Sequence, residues 1–128
     1  MHGKLYLGAP PEHPWPLSLP TVETYLRQRF PDMIASRRTS LVTGNDVLDF
    51  DVRLDDGQQR HGTYVAGGKL ALSDGTPADW ADTIAWFLSL LPEGTPTMVM
   101  RDDGPEPVPL PEQTRTPEAL IAFFESID

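Results

Sequence analysis

Two stretches rich in proline decide where regular structure can form. Residues 8–20 contain Pro10, Pro11, Pro14, Pro16 and Pro20, and residues 104–111 contain Pro105, Pro107, Pro109 and Pro111 at every second position. Proline has no amide hydrogen and a nearly fixed φ, so neither stretch suits a helix interior or a central strand. Both are expected as extended arms or polyproline II loops. The second could also line a sheet edge, because its missing donors would all point away from the ladder. Neither pairs a PxxP spacing with a flanking Lys or Arg, so spacers are preferred over ligands for a proline-recognising groove.

The chain has 128 residues, which suits one compact domain over residues 1–128 with the two proline-rich arms attached. Hydrophobic residues make up 39%, enough for a packed core. Cysteine is absent, which removes disulfides, thiolate metal ligands and cysteine nucleophiles.

The formal net charge is -9. It is unevenly spread. Residues 1–45 hold five basic residues against three acidic ones, and residues 46–128 hold five against sixteen, so the regions carry +2 and −11. Such acidity disfavours nucleic acid and anionic membrane as partners, because both would repel it. The one basic cluster, Arg27, Arg29, Arg37 and Arg38, has no glycine-rich cradle or stacking aromatics beside it. The first residues lack the apolar run of a secretory signal, and the apolar stretch 84–91 is too short to cross a bilayer. A cytoplasmic protein is expected.

Helix signals recur three times. After Pro20, with Thr21 as cap, Val22, Tyr25, Leu26 and Phe30 repeat on one face until Pro31. Thr76-Pro77-Ala78-Asp79 combines a cap hydroxyl, proline at the first position and an early acid; Trp80, Ile84, Phe87, Leu88 and Leu91 then form a core face before Pro92. Thr116-Pro117-Glu118 repeats that start ahead of Leu120, Phe123, Phe124 and Ile127.

Strands fill the middle. Residues 47–54 alternate, with Leu48, Phe50, Val52 and Leu54 turned inward. Asp56-Gly57 suits a two-residue hairpin loop, after which residues 60–66 return as the partner. Residues 69–73 and 96–101 give two more strands; 2–7 and 35–43 are weaker candidates. The expected order is β-α-β-β-β-β-α-β-α. This is an α+β fold, an antiparallel meander with three helices packed mainly on one face and the other face partly solvated.

Few residues are equipped for chemistry. No Gly-x-Ser-x-Gly elbow, Walker loop, dinucleotide fingerprint or His-Glu-x-x-His occurs. Among His2, His13 and His61, only His61 falls on a predicted strand. Asp49 and Asp51 project from one face, and His61 joins them only in some hairpin registers. A two-residue loop pairs it with Val52 on the apolar face, whereas a longer loop opposite Arg53 puts it beside the carboxylates. The trio could bind a divalent metal or act as acid and base, but a solvated sheet face balanced by Arg53 and Arg60 is the preferred reading. Residues 102–106 offer oxygens without the spacing of a calcium loop and read as a turn. No cofactor and no metal are expected.

Trp86 falls on the outer side of the second helix, near Asp82 and Leu90. An exposed tryptophan with an acidic rim is a typical interface anchor. The alternative is that a proline-rich arm, through Trp15, covers it.

In element order alone, this small acidic chain resembles secretion chaperones of the type III class and immunity proteins that neutralise toxins. That likeness implies protein binding, and no residue is carried over from either group. The expected function is a non-enzymatic module of the immunity type. It would engage a basic partner protein through Trp86, Asp82, Leu90, Asp49 and Asp51, helped by electrostatic steering. The alternatives are a chaperone-like or adaptor protein holding a client segment, with a homodimer as the expected state, and a small enzyme or metal-binding protein using Asp49, Asp51 and His61.

Overall fold

The computed structural model describes residues 4–55, 57–73, 75–101 and 106–127. Along them run β1 Leu5–Gly8, α1 Leu19–Arg29, β2 Ile34–Thr39, β3 Asp46–Arg53, β4 Gln59–Val65, β5 Lys69–Leu72, α2 Pro77–Leu88, β6 Met98–Arg101, β7 Val108–Pro109 and α3 Pro117–Ser126. The fold is α+β, with one antiparallel sheet ordered β2-β3-β4-β5-β1-β6-β7. The meander spans β2 to β5. Then β1 intervenes, pairing Leu5 with Leu72 on one side and with Arg101 on the other.

The extra strand, β7, comes from the second proline-rich stretch. Pro109 lies opposite Met98, and the Leu110 amide donates to the Thr97 carbonyl at 2.9 Å. Amides alternate in direction along a strand, so Leu110 donates inward while the ring nitrogen of Pro109 faces away. The first proline-rich stretch is not a free arm. Trp15 and Leu17 are buried, and the Trp15 ring stacks on Tyr64 at 6.5 Å with an 8° interplanar angle. The Tyr64 hydroxyl donates to the Leu17 carbonyl at 2.8 Å, tying arm to sheet.

Helix α1 starts earlier than its sequence signal. Ser18, not Thr21, is the cap, and its hydroxyl accepts from the Thr21 amide at 3.3 Å. Pro20 sits inside the first turn, where no amide donor is needed. Tyr25 is 38% exposed rather than buried, because the helix contacts the core through Leu19, Val22 and Leu26. In α2, the Thr76 hydroxyl accepts from the Asp79 amide at 3.2 Å and Asp79 accepts from the Thr76 amide at 2.9 Å. These two bonds form a capping box. Thr116 caps α3 through its hydroxyl alone, accepting from the Ala119 amide at 3.2 Å.

Alternation along the strands turns Leu5, Leu7, Leu48, Phe50, Val52, Tyr64, Leu70, Leu72 and Val99 to one side. They form a single core cluster with Val22, Leu26, Trp80, Ile84, Phe87, Leu120 and Phe124 of the three helices. Among the described residues, no helix packs on the opposite face of the sheet, and its side chains lie outside that cluster.

The β3–β4 hairpin has neither of the anticipated registers. Asp51 pairs with His61, Val52 with Arg60 and Arg53 with Gln59. The Leu54 amide donates to the Gln58 carbonyl at 3.1 Å, which leaves a three-residue loop. Gly57 takes φ 80° there, a conformation that residues with a Cβ adopt reluctantly. Asp56, Asp74, His2 and residues 102–105, with most of the calcium-like turn, lie outside the described residues.

Candidate functional site

The hairpin register brings His61 onto the open face beside both carboxylates. Its Nδ1 lies 3.0 Å from Asp51 Oδ1, and its Nε2 lies 3.7 Å from Asp49 Oδ1. The Asp51 carboxylate can only accept, so the hydrogen of that bond sits on Nδ1. Thr63 stands between the groups, donating to Asp49 at 3.0 Å with its oxygen 3.3 Å from His61 Nε2. Arg38, from edge strand β2, closes the cluster with a 2.6 Å bond to Asp49 Oδ2. Burial pushes the Asp49 carboxyl up, but the hydrogen bonds from Arg38 and Thr63, with the charges of Arg38 and His61, hold it below its ordinary value.

This is a polar lattice on a solvated sheet face, with its members occupied by one another. Asp49 already faces a guanidinium, a hydroxyl and an imidazole, which leaves it little to offer an incoming cation. Among the described residues, no group of three His, Asp or Glu is placed to hold a metal ion. In the sequence Arg38 reads only as part of the basic cluster, and Thr63 does not stand out. Both occupy positions opposite or diagonal to Asp49, visible only once the registers β2–β3 and β3–β4 are known.

The other expected partner-binding residues lie across the sheet, in the helical layer. Asp49 and Asp51 therefore do not share a surface with Asp82, Trp86 and Leu90. Along one flank of α2, Asp82 is exposed, while Trp86 and Leu90 are half-buried against the core. Among the described residues, what covers Trp86 is neither proline-rich arm. Phe30, just past α1, meets its ring edge-on at 6.5 Å, and the Arg29 guanidinium lies 5.2 Å from its centroid. Trp15 is committed elsewhere, between Tyr64 and Phe87.

Beside this aromatic group is a cleft of about 190 Å³ between the end of α1, the β3–β4 loop and the start of α2. Arg29, Phe30, Asp55, Asp79 and Asp82 contribute to its walls. The Asp79 carboxylate is engaged by Thr76 and lies 3.6 Å from Arg60. Asp55 and Asp82 are exposed, and neither makes an ion pair with a described residue. The cleft thus offers two uncommitted carboxylates beside a half-exposed indole. Asp55 was missed as a candidate because it reads as a turn former. Its signal was its place in the loop, which only the packed fold swings toward α2.

No family model matches the chain, and neither a curated protein nor a solved structure matches it. Among the described residues, no helix is long and apolar enough to cross a membrane.

Proposed function

We propose that the chain is a non-enzymatic protein-binding module of the immunity type, which sequesters a basic partner protein at the α1–α2 cleft. One observation supports this reading above others: Asp55 and Asp82 stand exposed and unpaired among the described residues on a cleft beside Trp86. A Lys or Arg of the partner would enter between the carboxylates, and its neighbouring residues would pack on the indole. Aromatic anchors with charged rims dominate binding energy at such interfaces. The excess acidity of residues 46–128 speeds the encounter.

The test begins with the product of a neighbouring toxin-like reading frame, purified and titrated calorimetrically against this protein over a range of salt. Binding should weaken as salt rises. Asp82→Lys and Asp55→Lys should each weaken it by about tenfold or more, as loss of a charge-assisted contact does. Unchanged affinity in both charge reversals and in Trp86→Ala would exclude this cleft.

A further inference from the structure

The uncovered face of the sheet is polar at one end and apolar at the other. Beyond the His61 lattice, the same face passes over β5, β1 and β6. There it presents Tyr6, Ala71, Met98 and Met100, all half-buried. Both proline-rich stretches border this strip. Pro10 and Pro11 come from the first, Pro107 from the second, and between them lies a groove of about 370 Å³ floored by Tyr6, Met98 and Met100. That volume falls in the range of small-molecule sites. Methionine and tyrosine suit such a floor, since thioethers adapt to the shape of an apolar guest and aromatic rings give broad contact.

Among the described residues that line the groove, one is charged. Lys69 lines it, with Nζ 5.2 Å from the centre of the Tyr6 ring, and makes no ion pair with a carboxylate among the described residues. It is complementary to a ligand that brings its own negative charge.

We propose that this groove binds a small amphipathic carboxylate, its apolar body on Tyr6, Met98 and Met100 and its carboxylate on Lys69. The small volume and the proline walls favour a single compact molecule over a length of partner chain. The site is separate from the α1–α2 cleft, being on the other side of the sheet.

The experiment uses the full chain with its methionine methyls labelled, titrated with decanoate below its micellar concentration and, in parallel, with decanol. Decanoate should shift the methyl signals of Met98 and Met100 and leave that of Met33, buried in the helical core, in place. Lys69→Met should weaken decanoate by about tenfold or more and leave decanol unchanged, as loss of an ionic hydrogen bond does. Lys69→Arg should restore most of the decanoate affinity. Lys69 is exposed, so these variants keep the fold. No shift at Met98 and Met100, equal binding of the two probes, or tighter binding of an acidic decapeptide than of decanoate would each overturn the proposal.

Discussion

The ring of Phe50 fills the space over Gly62, its partner in the β3–β4 register; a Cβ at position 62 would sit 2.4 Å from Phe50 Cζ. Glycine here is required by a neighbour rather than by its own backbone angle. Gly62→Ala should therefore destabilise the protein by about 1–3 kcal/mol, the usual penalty of overpacking. Adding Phe50→Leu should return part of that loss in a double-mutant cycle followed by urea denaturation. An alanine variant as stable as the parent would show that the ring moves aside freely.

Trp15 and Tyr64 should report on the docking of the first proline-rich stretch. Trp15→Ala is expected to destabilise by about 3–5 kcal/mol, as for other fully buried aromatics. Tyr64→Phe should lose about 1–3 kcal/mol, because the Leu17 carbonyl is left buried without its donor. Both are measured by denaturant unfolding, and a neutral Trp15→Ala would mean the arm is held by something else.

Burial pushes the Tyr64 phenol from 10.0 up to about 12. Between those values the folded protein keeps a proton that the unfolded chain releases. Stability is thus fully present below pH 10 and falls as pH rises toward about 12. Alkaline melts of the parent should show this loss, and those of Tyr64→Phe should lack it.

At the opposite end of the pH scale, Asp49 contributes in its ionised form. Its carboxyl is held below the ordinary value in the folded state, so its contribution is present above the unfolded value and lost as pH falls through the folded one. Arg38→Ala should move the Asp49 carboxyl back up in a carboxyl-carbon NMR titration. The accompanying change in stability near neutral pH should be below about 1 kcal/mol, since the guanidinium is half exposed. An unmoved titration would remove Arg38 as a cause.

Trp86→Ala is expected to leave the fold intact and lower stability by about 1–2 kcal/mol, less than a fully buried aromatic loses. Only part of the indole is covered, by Phe30 and Phe87 edges and the Arg29 guanidinium. Loss near the full range for a core tryptophan, measured by urea unfolding, would make it a structural residue and weaken the cleft as a binding surface.

Local signals in the sequence sufficed for much of the architecture. The capping groups Thr76 and Thr116, each followed by proline, start helices as expected, and the alternation of Leu48, Phe50 and Val52 assigns the inner face of β3. What failed was set by distant partners. The hairpin register depended on whether Asp55 to Gly57 formed a two- or three-residue loop, and one residue decides which face His61 occupies. Ser18 outcompeted Thr21 as a cap because Leu19 is drawn into the core, a pull that no local pattern contains. Arg29 and Phe30, which cover Trp86, lie more than fifty positions away, so that part of its surroundings was not legible in the sequence.

The place of β1 also orders events in time. It lies between β5 and β6, so this strand has no neighbour in the sheet until residues 69–72 have been synthesised and none on its far side until residues 98–101 follow. The sheet thus closes around this early segment only when β6 arrives, and β7 then adds at the edge. Any change that ties up residues 5–8, such as a bulky fusion or a bound chaperone, acts on an interior strand and would keep the four strands on one side from joining the two on the other.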